Sequence, residues 1–143
     1  MRKVLIAFDG SEHSKRALQY VIDHAHDGAQ PMEVHVVNVQ HEPVLYGEWV
    51  TASMVSELSD SLLAKAKGVL DEAESKLRVA GVTAQSHALL GNVADRVSET
   101  VKRLGCDTVI MGTRGLGSFS GLVLGSVANR VIHEVAVPVL LVK

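Results

Sequence analysis

The 143-residue chain is predicted to form an α/β domain built on a doubly wound, five-stranded parallel sheet with helices on both faces. Three observations carry this prediction. Short continuous apolar runs alternate with stretches of helical period. Alternation of this kind requires right-handed crossovers and parallel strands. The first of these runs, Val4 to Phe8, is apolar without a polar face, as a strand buried on both sides must be, while Val82 to Leu90 alternates loosely. One apolar run, Val109-Ile110-Met111, enters a glycine-rich stretch that extends to Gly125-Ser126, where a helical pattern begins.

The elements follow in order. Val4 to Phe8 reads as the first strand, ended by the turn chemistry of Asp9-Gly10-Ser11. A helix starts at about Ser11 or Ser14, with Ala17, Leu18, Val21, Ile22 and Ala25 on one face and Gly28 and Pro31 closing it. Val34 to Val39 is a β-branched second strand. Residues 40–50 carry Pro43 and Gly47, lack a clean period, and are expected to loop over the carboxyl edge of the sheet. A long helix is predicted from Ser53 to Ala80. Its stripe is Leu58, Leu62, Lys65/Ala66, Val69, Ala73 and Leu77, and Gly81 is its stop. Val82 to Leu90 is the third strand. Val93, Val97, Val101 and Leu104 mark the third helix, stopped by Gly105. Thr108 to Met111 is the fourth strand. Val127, Val131, Ile132 and Val135 are expected on one face of the last helix, and Val139 to Val142 is the last strand. No repeat, linker or low-complexity tract divides the chain, so residues 1–143 read as a single domain.

Composition excludes several classes of function. The chain is 47% hydrophobic and 21% charged, with a formal net charge of -2. That balance, without a dense basic run, argues against nucleic acid as a partner. No apolar stretch approaches the roughly 20 residues that span a bilayer, so no membrane association is expected. A single cysteine, Cys106, forms no intrachain disulfide and reads as a small buried hydrophobe. The five-residue apolar run at the N-terminus is too short for a signal-peptide core, and the expected location is cytoplasmic. The seven histidines show no metal-ligand spacing and read as core-edge or surface residues. No metal site is expected within the protein.

The stretch from Val109 to Val127 concentrates the chemistry. A strand, a glycine-rich loop and a helix N-terminus in succession make an anion site. Free N–H groups and the helix dipole point outward, and glycines let the backbone approach a phosphate. A Walker A loop is disfavoured because no lysine follows a glycine in the required frame. Gly115-Leu116-Gly117 resembles a dinucleotide fingerprint, but Gly121 falls one residue late and no acidic residue ends a following strand. Asp9 is open to three readings: orienting a ribose, holding a metal through water, or capping the first helix. Arg114 is either a phosphate contact or a solvated charge. Ser118, Ser120 and Ser126 are candidate phosphorylation sites with nothing to choose among them. Tyr46 and Trp49 lid a ligand, meet a partner, or simply pack.

The spacing Gly112-x-x-Gly115, nine residues, Gly125-Ser126 resembles the ATP-binding signature of the universal stress protein family. The opening Ile6 to Ser11, the turn Gly91-Asn92-Val93-Ala94, and residues 107–115 and 124–142 are similar as well, so the resemblance covers essentially the whole chain. It implies a Rossmann-like or flavodoxin-like domain of the adenine nucleotide alpha-hydrolase type. It also implies ATP as cofactor, with Mg2+ held mainly by the phosphates. By that resemblance Ala7 and Asp9 line the adenosine end and Val39 covers the adenine. Met111, Gly112, Arg114 and Gly115 follow the ribose and phosphates. Gly125, Ser126 and Val127 offer N–H groups and a hydroxyl, and Ala128 contributes backbone only. The family often pairs through its last strand, which implies a homodimer through Val137 to Val142 and an unidentified protein partner. The functional expectation is a nucleotide-dependent stress-response switch with little or no turnover. The competing readings are a slow ATP hydrolase or autophosphorylating protein, and a dimeric interaction module that needs no nucleotide.

Overall fold

A computed structural model describes residues 1–42, 44–115 and 124–143. Pro43 and the middle of the glycine-rich stretch, including Gly117, Ser118, Phe119, Ser120 and Gly121, lie outside the described residues. The elements run β1 (Lys3–Ala7), α1 (Glu12–His24), β2 (Glu33–Gln40), α2 (Ala52–Val79), β3 (Ala84–Leu90), α3 (Val93–Leu104), β4 (Thr108–Gly112), α4 (Ser126–Glu134) and β5 (Val139–Val142). The five strands form one sheet in the order β3-β2-β1-β4-β5, and every pairing is parallel. The predicted doubly wound architecture is therefore the observed one.

Strand β1 lies at the centre. Ile6 pairs with Val36 on one side and Ile110 on the other. Val4, Leu5 and Ile6 are fully buried, which explains a run with no polar face. Alternation along the strands separates two apolar layers. Val4, Ile6, Val34 and Val36 pack with Leu18, Val21, Leu70 and Leu77 of α1 and α2. Leu5, Val37 and Val109 pack with Val97, Val101 and Val131 of α3 and α4.

Local stops match the sequence where glycine chemistry is explicit. Gly81 adopts φ +74° after α2. Its N–H donates to the Arg78 carbonyl at 3.0 Å, and the Val82 N–H donates to the Leu77 carbonyl at 2.9 Å. This is the Schellman closure, with Val82 buried behind it. Gly105, at φ 68°, ends α3 in the same left-handed region.

Four expectations are corrected. Helix α1 ends at His24, well before Gly28. The first two residues expected in β3 are spent on the α2 closure, so the strand begins at Ala84. On α2 the buried residues are Ala66, Leu70, Ala73 and Leu77. Leu58, Leu62 and Val69 are only half-buried, and Lys65 is exposed. On α4 the buried residues are Ala128 and Val131, while Val127 and Ile132 stay exposed at 40% and 39%. A short helix starting at Gly125 turns its i, i+3 pair inward. Hydropathy alone selects the large Val127 and Ile132 as core and passes over the small Ala128.

Candidate functional site

The strand order reverses beside β1. The chain leaves β1 for β2 and β3 on one side, then returns to place β4 on the other. Ligands of doubly wound sheets sit at this switch point, beyond the carboxyl ends of the strands. A cleft open to solvent at its mouth lies there.

The turn after β1 is tightly specified. Gly10 takes φ +82°. Asp9 Oδ1 accepts a hydrogen bond from the Ser11 N–H at 2.9 Å. Ser11 is the N-cap of α1, its Oγ accepting from the Ser14 N–H at 3.2 Å. The capping reading of Asp9 is thus corrected: Ser11 caps the helix, and Asp9 braces the cap. Asn38, buried in β2, donates from Nδ2 to the Phe8 carbonyl at 2.8 Å and fixes the end of β1.

Strand β4 ends at Gly112, against the first turn of α1. A Cβ on Gly112 would lie 2.6 Å from His13 Cβ and 2.9 Å from Ser14 N. Glycine is therefore a packing requirement at this position. A Cβ on Gly115 would overlap Asp9 Oδ2. Gly125 is drawn back to β4 by its N–H, which donates to the Thr113 carbonyl at 2.8 Å.

The helices differ at their starts. Ser11, Thr51 and Asn92 cap α1, α2 and α3 with a side-chain oxygen. Helix α4 begins at Gly125 with no side-chain cap. The first-turn N–H groups of Ser126, Val127 and Ala128 have no partner within the helix, and the positive end of the dipole faces the cleft they line.

All eleven residues singled out from sequence line this one cleft: Ala7, Asp9, Val39, Met111, Gly112, Arg114, Gly115, Gly125, Ser126, Val127 and Ala128. Phe8, Ser14, Val37, Asn38, Val93 and Val97 line it too, and sequence reasoning does not single them out. Two signals point to them. Asn38 is a polar residue inside a buried run. Val93 and Val97 stand at i, i+4 on a helix that starts at the carboxyl edge. Asp9 and Arg114 are the charged residues among the described lining. Among the described residues no three His, Cys, Asp or Glu side chains converge into a metal site.

Titratable groups away from the cleft are built into the fold. His35 is 1% exposed, its Nε2 2.9 Å from Glu33 Oε1 and its Nδ1 3.0 Å from His87 Nε2. The expectation of an ordinary histidine fails for His35, which is a fully buried member of a bonded chain. The hydrogen bond from His35, with that of Lys3, holds Glu33 below the usual carboxylate range. Burial pushes the Cys106 thiol up, in keeping with a small buried hydrophobe. Among the described residues no helix is long and apolar enough to cross a membrane.

A doubly wound parallel sheet, with a glycine-lined cleft and an uncapped helix start at its switch point, has the architecture of nucleotide-type α/β domains. The chain belongs to the universal stress protein family, whose sequence profile matches residues 1–143. It is 33% identical over 144 residues to the universal stress protein in the QAH/OAS sulfhydrylase 3′ region of Thermus aquaticus, covering 99% of this chain and 98% of the relative. The structure superposes on that of hypothetical protein MJ0577 with a TM-score of 0.85 at 26% identity, covering 99% and 95% of the two chains. An AMP-bound universal stress protein family member from Arabidopsis thaliana has the same fold, with a TM-score of 0.66 at 20% identity over 100% and 92% of the chains.

Proposed function

We propose that this chain binds an adenine nucleotide, ATP with Mg2+, at the switch-point cleft and uses it as a regulatory ligand with little or no turnover. One observation carries the reading: the eleven residues named from sequence line a single cleft beside the uncapped start of α4. The half with Ala7, Val37, Val39, Met111, Val93 and Val97 is apolar and suits a base. The half with Gly115, Gly125 and Ser126 presents backbone and hydroxyl and suits phosphates. Solved members of this fold carry AMP, dAMP and cAMP, which supports the adenine end of the proposal. Asp9 is the carboxylate of the described lining, and among the described residues no cluster of acids or histidines surrounds it, so we assign Mg2+ chiefly to the phosphates. Little or no turnover is part of this reading: a general base must reach the attacking water, and Asp9 is the one carboxylate of the described lining.

The exposed Val127 and Ile132, and the position of β5 at the sheet edge, support a homodimer formed through Val137 to Val142. Sedimentation equilibrium tests that part, with twice the chain mass expected.

The decisive experiment is to denature freshly purified protein, identify the released small molecule, and repeat with Gly125→Val, whose side chain would press on the Thr113 carbonyl and Arg114 Cα. Co-purified ATP lost in the variant supports the reading. Added MgATP at about 100 times its dissociation constant should stabilise the wild type by about 2.7 kcal/mol. An empty wild-type site that gains no thermal stability from MgATP, AMP or any other adenine nucleotide overturns it.

A further inference from the structure

Helix α2 has 28 residues, but its buried residues, Ala66, Leu70, Ala73 and Leu77, all fall in its second half. None of residues 52–65 is buried. At the start of α1, Lys15 Nζ lies 3.3 Å from Glu72 Oε1, in the second half of α2. The first half of α2, about 21 Å of helix at 1.5 Å per residue, therefore runs past the carboxyl edge of the sheet.

This overhang and the loop before it carry exposed apolar side chains. Val44, Tyr46 and Trp49 are 71%, 81% and 71% exposed, and Met54 and Val55 are 40% and 42% exposed. The loop has defined structure. Gly47 takes φ +123°, and its carbonyl accepts from the Val50 N–H at 3.2 Å. A Cβ on Gly47 would lie 2.6 Å from Trp49 Nε1, so the indole is seated on the glycine with its outer face to solvent. Contiguous exposed apolar surface with a polar rim marks an interaction site.

The rim identifies the occupant. Between residues 41 and 65 the chain has four acids, Glu42, Glu48, Glu57 and Asp60, against one base, Lys65 at the far end of the overhang. All four are exposed. In the rest of the chain Lys and Arg outnumber Asp and Glu, so the negative charge is concentrated here. A two-fold contact with a second copy sets this acidic rim against itself. We propose that the overhang of α2 and the Tyr46–Trp49 turn form a docking surface for a cationic amphipathic segment of another protein, with apolar residues flanked by lysine or arginine. The surface stands independently of nucleotide in the cleft.

Trp49 is the sole tryptophan, so its emission reads this surface directly. The full-length protein is titrated with a synthetic leucine–lysine amphipathic helix and with its leucine–glutamate counterpart. The lysine peptide should shift Trp49 emission to the blue and saturate, and the glutamate peptide should not. Glu48→Lys with Glu57→Lys should weaken the lysine peptide about tenfold, through like-charge repulsion at the rim. Asp27→Lys, which adds positive charge on an exposed turn elsewhere, should leave the affinity unchanged. Equal responses to the two peptides, or an equal loss in Asp27→Lys, overturn the proposal. So does a blue shift with protein concentration alone, accompanied by a doubling of mass that Val55→Glu abolishes, which would make a second copy the occupant.

Discussion

Asp9 Oδ2 occupies the place where a side chain on Gly115 would begin, although the two residues are more than a hundred positions apart. A methyl group at residue 115 meets the far end of a side chain that can swing away. Swinging it pulls Oδ1 from the Ser11 N–H. Gly115→Ala should therefore leave thermal stability within about 1 kcal/mol of wild type. On the proposed reading, in which Asp9 meets the ribose, it should weaken MgATP by about tenfold, the worth of one charge-assisted hydrogen bond. In a background of Asp9→Ala the same substitution should cost much less, because the two sites share the clash. Calorimetric titration of the four proteins checks the cycle.

Gly112 faces a harder wall. Its missing Cβ points at His13 Cβ, the His13 carbonyl carbon at 2.7 Å and the Ser14 nitrogen, most of it backbone at the base of α1. Gly112→Ala should destabilise the fold by about 1–3 kcal/mol, the usual cost of overpacking. Denaturant unfolding without nucleotide is the measurement, since the loss should be present before any ligand is added.

The loss of stability in mild acid should trace to His87. Burial, helped by neighbouring His35 and Arg103, holds its imidazole below the ordinary value of 6.5. The unfolded chain then takes up the proton more readily than the folded one. The contribution to stability is complete above pH 6.5 and is lost as pH falls through the lower folded value. Melting temperature should decline from neutral pH towards pH 5, and His87→Gln should flatten that decline.

Gly81→Ala should cost about 1–2 kcal/mol, because an L-residue is held at positive φ while its methyl group points into open space. The loss should be read in thermal unfolding and not in nucleotide affinity, since the α2 closure lies at the opposite end of that helix from the sheet's carboxyl edge.

The topology is legible in the sequence because the central strands β1 and β4, buried on both faces, have no alternation to misread, and the turns carry glycine and asparagine at fixed places. Gly81, Asn92 and Gly105 end or begin helices where expected. The cleft is legible because most of its wall comes from the ends of β1 and β4 and from the start of α4. The wall residues contributed by neighbouring elements escape, notably Asn38 and Val97, since spacing along the chain does not reveal what a second strand or helix brings across. Helix faces are the weakest reading. On α2 the hydrophobic stripe continues past the end of the sheet, so Leu58 and Leu62 look like core in sequence but have little beneath them. His35 escapes because a strand pattern records which face a residue takes, and not that Glu33 and His87 flank it.

The cleft draws its two walls from opposite ends of the chain, Ala7 and Asp9 from the first strand and turn, Ser126 and Ala128 from the last helix. A nascent chain still without β4 lacks one wall of this cleft. The insertion of β4 beside β1 is a long-range pairing and belongs to the slow class of folding events. Ligand capture thus serves as a clock for that insertion: the arrival of nucleotide binding during refolding should coincide with the last large-scale step of the chain, and not with its first collapse.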